Sequence, residues 1–290
     1  MNAASLMPAA ADQTVVYVYG VARAPHERES IPLPLQGIVP EAPVERLADA
    51  DLTAFISLVP ARLFGAEEFR AALNDAKWLR ARVVAHEKVL ERLRSRYDVI
   101  PFRFGSVYLD ASEVSNALSG HRTELGHALD RVRGASEWGL KVYCDGEVLR
   151  GALEAGSKSI RRMRDALAAA SPGAQFFLRK KYATALDAEA AAAIAACGER
   201  VRRPLDGGVR ETVEIALQPA AMHGRPTDMV LNVACLVATQ SLPAFRRIVA
   251  ALKKELAAEG ITFELTGPWP PYHFVSSSPE GIGDGPAPDQ

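Results

Sequence analysis

The segment that most restricts what this chain can fold into is MVLNVACLVA, residues 229 to 238, an almost unbroken apolar run interrupted only by Asn232. It reads as a central strand, because a half-exposed strand would alternate and a membrane span would need about 20 apolar residues. Extended to Phe245 the run also meets Gln240 and Pro243, so no transmembrane helix is expected. The next segment is a helix by its spacing: Leu242, Phe245, Val249, Leu252 and Leu256 share one face. Ser241 offers an N-cap, Pro243 is tolerated in the first turn and Gly260 supplies the stop. ITFELTGPW then reads as a last strand.

Upstream, EWGLKVYCD alternates Leu140, Val142 and Cys144 with Lys141 and Tyr143, as in a half-buried strand. Two helical runs, roughly 146 to 170 and 174 to 200, are separated by the breaker Ser171-Pro172-Gly173. The second is rich in alanine, which favours helix but offers few large side chains for packing. A helix-compatible segment at 210 to 217 and a short extended piece near Met222 lead to the central strand. From Glu137 the succession is strand, helices, short strand, strand, helix, strand. That is the βαββαβ order of a ferredoxin-like sandwich with an enlarged helical crossover.

The first half reads as a smaller α/β sandwich. TVVYVYGVA, 14 to 22, is a buried strand. Pro32, Pro34, Pro40 and Pro43 then argue for an extended connector rather than a strand or helix. LTAFISLVP gives a second strand from Leu52 to Val59. A helical pattern begins at Glu67, with Leu79, Val83, His86, Leu90, Leu93 and Tyr97 on one face. VIPFRFGSVYL, 99 to 109, returns to β character, and a helical stretch from Ala111 to Arg133 precedes a boundary near Gly134. The expected organisation is an α+β chain in two domains, 14–134 and 135–275, between disordered tails at 1–13 and 276–290.

Charge does not choose a partner. The 290 residues carry 34 Lys and Arg against 35 Asp and Glu, a formal charge of -1, so no global field recommends nucleic acid or an anionic membrane. The three cysteines form no CxxC pair, and the Ala-rich start has no basic leader, which fits a reducing cytoplasm.

Chemical motifs are sparse. Phosphate loop, dinucleotide fingerprint and nucleophile elbow are missing from the sequence. His86-Glu87 begins an HExxH zinc helix, but Leu90 stands where the second histidine belongs. No catalytic, cofactor or metal residue is therefore expected. His86 on an apolar helix face reads as a hydrogen-bonded structural residue, and Cys144 and Cys235 read as small hydrophobes with high pKa. The cluster Arg179-Lys180-Lys181, following Phe176, Phe177 and Leu178, either touches phosphate or acidic side chains or is a solvated helix turn. Arg103 lies between Phe102 and Phe104, whose side chains should share the opposite face, and it either pairs internally or meets a partner. In TGPWPPY, Pro268, Trp269, Pro270, Pro271 and Tyr272 make a stiff extended segment. It either locks the second domain or presents rings to a partner.

Seven ordered motifs carry a family resemblance: YVYGV (17–21), KWLRARVVAHEKVLE (77–91), IPFRFGSVY (100–108), EWGLKVYCD (137–145), LRKK (178–181), MVLNVACLV (229–237) and LTGPWPPYHFV (265–275). With these the chain resembles the gas vesicle protein F/L family (GvpF/GvpL) from its first strand to its last. Ser106 and Val107 stand where the family often has Thr and an aromatic or Val, and the Ala-rich stretch near 190 follows no family motif. The resemblance implies a non-enzymatic, cytoplasmic accessory protein without cofactor, a minor structural or assembly component. It would contact the small hydrophobic shell protein and other accessory proteins of the gas vesicle. Phe102, Arg103, Phe104, Gly105, Trp138, Arg179, Lys180, Pro268, Trp269, Pro270, Pro271 and Tyr272 are then the residues for partner contact or for the family's structural motifs. A competing reading places a small-molecule or enzymatic site in a cleft near His86, Glu87 and Arg103. RNA binding is disfavoured because the strands of the second half lack paired exposed aromatics in a basic surround.

Overall fold

The computed structural model describes residues 13–24 and 35–275. The expected tails lie outside the described residues apart from Gln13, as do Pro32 and Pro34. The chain divides into two compact units, one holding the described residues up to Ser136 together with those from Trp269 onward, the other Glu137–Pro268. The sequence alone suggests that 135–275 stay together. The difference lies in the segment after Pro268, whose Tyr272 and Phe274 pack with residues of the first unit.

In the first unit, β1 (Thr14–Arg23), β2 (Leu35–Val39), β3 (Ala42–Asp49) and β4 (Leu52–Pro60) precede short helices α1 (Ala61–Phe64) and α2 (Ala66–Ala72) and the long α3 (Ala76–Arg94). Then come β5 (Val99–Pro101), β6 (Val107–Tyr108), α4 (Ala111–Gly120) and α5 (Arg122–Val132). The sheet order is β2-β3-β4-β1-β5, with β6 also paired to β1. Strand β1 is buried on both faces: Val15, Tyr17 and Tyr19 meet α1, α2 and α3, while Val16 and Val18 meet α4 and α5. A bulge between Val18 and Gly20 reverses this parity, so Val21 joins the α4/α5 side and Ala22 the α3 side. Gly20 must lack a side chain, since a Cβ there would stand 2.6 Å from the Ile100 carbonyl oxygen.

Two expectations need correction. The proline-rich stretch is not a plain connector: from Leu35 it forms the β2–β3 hairpin. Pro40 falls in the turn and Pro43 near the start of β3, positions where a strand tolerates proline. The helical stretch 111 to 133 is two helices meeting at His121.

The second unit runs β7 (Ala135–Cys144), α6 (Gly146–Gly156), α7 (Lys158–Ala168), α8 (Pro172–Leu205), β8 (Glu211–Glu214), α9 (Ala220–His223), β9 (Asp228–Ala238), α10 (Leu242–Leu256) and β10 (Ile261–Trp269). Its sheet order is β10-β7-β9-β8. The inward residues Leu140, Val142, Cys144, Leu231, Val233 and Cys235 pack under α6, α8 and α10. Helix α10 is held by packing rather than by its cap. Phe245, Val249, Leu252 and Leu256 are buried, each stabilising by about 1.5–3 kcal/mol, while the Ser241 side chain makes no capping bond. The run expected at 146 to 170 breaks at Ser157, whose hydroxyl caps the Ile160 amide at 3.2 Å. The segment expected as helix at 210 to 217 is strand β8, because it completes the edge of β9. The extended piece expected near Met222 is the short helix α9. No described helix is long and apolar enough to cross a membrane.

Candidate functional site

The most chemically loaded cluster lies in the first unit, where α3, β1, the β5–β6 turn and the segment after β10 converge. The turn arises because β5 and β6 pair with the same edge of β1 but out of register, so residues 102–106 span only Val18 and Tyr19. The Phe102 amide donates to the Tyr19 carbonyl at 2.8 Å, and the Val18 amide to the Ser106 carbonyl at 2.9 Å. Gly105, at φ 91°, makes the reversal that other residues adopt at a cost. Phe102 and Phe104 are consequently both buried but on opposite faces of the sheet, correcting the expectation that they share one. Arg103 points out between them and is exposed; among the described residues its guanidinium has no hydrogen bond or ion pair.

Helix α3 begins at an Asp75 cap and carries His86 inward, fully buried. Gly105 N–H donates to Tyr17 Oη at 3.2 Å, and Tyr17 Oη lies 2.8 Å from His86 Nδ1. Because Tyr272 Oη gives its proton to Glu87, Nδ1 accepts from Tyr17 and the imidazole carries its own proton on Nε2. That nitrogen stands 3.3 Å from Tyr272 Oη. Tyr272 Oη in turn donates to Glu87 Oε1 at 2.8 Å. The result is one continuous relay from the Gly105 amide to the Glu87 carboxylate. His86 is also stacked on Tyr19, with centroids 5.8 Å apart, and meets Phe104 edge-on. Tyr19 extends the network sideways: it accepts from the Ile38 amide at 2.7 Å and bonds Ser57 Oγ at 2.9 Å, fixing the β2–β3 hairpin.

Burial sets the protonation of this cluster. Desolvation pushes His86 down to about 3, against the opposing hydrogen bond to Phe102. It also raises Tyr17 and pushes Tyr19 up to about 12. Burial raises Glu87, with the Tyr272 hydrogen bond and the Arg94 charge acting the other way. The imidazole is thus neutral, enclosed and bonded at both nitrogens, which makes it a structural junction rather than an exposed base. No hydrogen bond joins the Arg103 guanidinium to His86 or Glu87.

The remaining motif residues divide between core and surface. Trp138 is buried in the second unit, packed near Phe245 with the Arg246 guanidinium 5.1 Å above its ring. Pro268 is exposed, Trp269 half-buried, Pro270 and Pro271 buried and Tyr272 half-buried. Neither the β5–β6 turn nor this proline segment is therefore an open aromatic surface, because its rings are largely enclosed in the fold. Arg179 and Lys180 are exposed on α8, next to Phe176 and Phe177, which are 73% and 74% exposed. Sequence reasoning misses Phe176 and Phe177, which there are mere neighbours of the basic cluster. Their signal is their spacing: Leu178, Tyr182 and Leu186 continue the helix's inner stripe, and the two phenylalanines fall off it.

Cys144 and Cys235 lie in strands with their thiols raised by burial to about 11 and about 12, and Cys197 is buried on α8 and also raised. These are not nucleophiles. Among the described residues no group of three or more His, Cys, Asp or Glu side chains is placed to hold a metal ion.

Residues 15–276 match the family described as gas vesicle synthesis protein GvpL/GvpF. Gas vesicle protein L of Streptomyces sp. (strain CB03234) is 29% identical over 275 residues, covering 92% of this chain and 94% of that protein. Gas vesicle protein F of the same strain is 30% identical over 273 residues, covering 89% and 98%. The crystal structure of GvpF from Anabaena sp. PCC7120 superimposes with a TM-score of 0.66 at 18% identity, covering 92% of this chain and all of that one. GvpF from Microcystis aeruginosa gives 0.62 at 21% identity, covering 91% and 99%. At these identities the two structures establish the fold alone.

Proposed function

The chain belongs to the GvpL/GvpF family of gas vesicle synthesis proteins, and from that premise we propose that it is a non-catalytic accessory component that binds the small hydrophobic shell protein and other accessory proteins while vesicles form. The observation that carries this reading is the inward, fully bonded setting of His86. The cluster most suited to catalysis in the first unit serves instead to tie α3, β1, the β5–β6 turn and the segment after β10 together. A shell protein with one face turned to gas needs that apolar face covered before assembly, and a folded binder meets the need without chemistry. We place the protein in the cytoplasm, at the growing vesicle.

The fold suits a scaffold of two domains. We read the second unit as ferredoxin-like: its β10-β7-β9-β8 order, with α6 to α8 as an enlarged first crossover, supports this. The domain border then falls near 134–136, and the first domain takes back the chain after Pro268.

The test is deletion of the gene in a vesicle-forming host together with a pull-down of purified shell subunit on the tagged chain. Loss of buoyant vesicles, restored by complementation, and retention of shell subunit are expected. Intact vesicles alongside an accumulating metabolite would overturn the reading. Immunodetection in purified vesicles, before and after stripping the outer surface, locates the protein.

A further inference from the structure

The second unit carries a basic and aromatic surface at the tip of its helical crossover. Helices α7 and α8 form a hairpin through the short connection 169–171, packed along Ile160, Met163 and Leu167 of α7 and Leu178 and Tyr182 of α8. Around this packed stripe Arg161, Arg162 and Arg164 of α7 and Arg179, Lys180 and Lys181 of α8 are all exposed. Between residues 161 and 181 the only anion is Asp165, in a chain whose overall charge is -1. Several arginines elsewhere are matched: Arg122 with Asp49 and Asp51, Arg150 with Asp187, Arg200 with Glu259 and Arg225 with Glu264. On the hairpin these six cations make one ion pair among the described residues, Arg164 with its neighbour Asp165 at 4.0 Å. In the midst of these cations stand Phe176 and Phe177, the most exposed large apolar side chains among the described residues, edge to face with centroids 5.8 Å apart.

We propose that this α7–α8 tip is a docking surface for an acidic amphipathic helix of a partner protein, a reading that rests on the assembly role and names the chemistry of one of its contacts. Carboxylates on the incoming helix meet cations of which, among the described residues, only Arg164 makes an ion pair, and its apolar face covers the phenylalanine pair. A lipid surface is a poorer fit, because the apolar group is a compact knob rather than a long stripe along the helix. Single-stranded nucleic acid is a poorer fit too, since the edge-to-face arrangement occupies one ring face that a base would need.

The experiment uses the intact chain and a labelled synthetic peptide with leucines on one helical face and glutamates on the other. Comparison probes are the same peptide with lysines for glutamates, phosphatidylserine-containing vesicles and an oligouridylate. Expected are binding of the glutamate peptide that weakens with salt, and a loss of about tenfold or more in the triple variant Arg179→Glu, Lys180→Glu, Lys181→Glu. The double variant Phe176→Ser, Phe177→Ser should bind about tenfold more weakly while keeping the salt dependence. Lys253→Glu, an exposed reversal on α10, should bind as the parent does. Circular dichroism and melting verify that each variant is folded. Equal binding by parent and charge-reversed chain overturns the proposal, as does preference for the vesicles or the oligouridylate. Failure of the shell-subunit pull-down with the tip still binding the acidic peptide removes the assembly reading alone.

Discussion

In the first unit Tyr17, His86, Tyr272 and Glu87 direct their polar atoms at one another and at the backbone, and the surrounding rings of Tyr19, Phe64 and Phe104 are enclosed with them. On α8 of the second unit Phe176 and Phe177 stand in solvent beside Arg179, Lys180 and Lys181, which make no ion pair among the described residues. The contrast teaches that a rare motif and a contact surface are different things. The stretches PFRFG and GPWPPY, which look like recognition segments, are distinctive because a bulged strand edge, a turn at positive φ and a histidine junction each demand particular residues. The stretch FFLRKK looks like an ordinary helix turn, yet its placement of apolar rings outward is what a fold without partners would avoid.

The comparison breaks most severely if the relay turns out to be expendable. His86→Ala opens a cavity among Tyr17, Tyr19 and Phe104 and leaves the Tyr17 hydroxyl proton without its acceptor, so the first unit should lose about 3 kcal/mol or more. Hydrogen exchange of the β1 amides reads this separately from the second unit. The same residue sets a pH dependence. The unfolded chain protonates this histidine near 6.5, and the folded one refuses the proton down to about 3. Its contribution is therefore complete above pH 6.5 and is lost as the pH falls toward 3. Glu87 acts in the opposite sense: its raised pKa favours the fold at low pH, with that contribution lost as the pH climbs through the raised value. His86 is the more deeply buried of the two and dominates. The first unit should weaken on acidification below pH 6.5, and His86→Gln should flatten that slope.

A smaller loss tests the strand edge that shapes the turn. Gly20→Ala drives a methyl group toward the Ile100 carbonyl and Val99, and should cost about 1 to 3 kcal/mol, read from the denaturant midpoint of the first unit. Smaller again is Tyr272→Phe, which keeps the ring and removes the donor to Glu87, at about 1 to 2 kcal/mol. A null result for both would mean that the motifs are not held by the network described, and that their rings are available to partners after all.

How much of this is legible in the sequence depends on the range of the interactions. α10 is legible by its local period and stop signal, and β1, β9 and β10 by runs of β-branched, aromatic and other apolar residues. The inward face of α3, with His86 on it, is legible for the same reason. The partners of that histidine are not, since Tyr17 is 69 residues away and Tyr272 is 186. Strands β8 and β2 fail differently: an edge strand is defined by the neighbour it pairs with, and their own residues carry little apolar alternation. Phe102 and Phe104 mislead because alternation assumes an uninterrupted strand, while Gly105 turns the chain between β5 and β6.

The smallest expected effect is the sharpest test of the contrast. Losing two phenylalanines from a packed core would cost several kcal/mol, as large apolar side chains do when their contacts vanish. Phe176 and Phe177 keep only about a quarter of their surface covered, and much of that is by each other, so little packing is forfeited when both become serine. The double variant should melt within about 0.5 kcal/mol of the parent, the range of ordinary surface changes, and should be more soluble at high concentration. A loss well above about 1 kcal/mol would mean that the pair is fastened to the fold in solution. The difference between a unit that encloses its aromatics and a helix that offers them would then disappear, whatever the acidic peptide did.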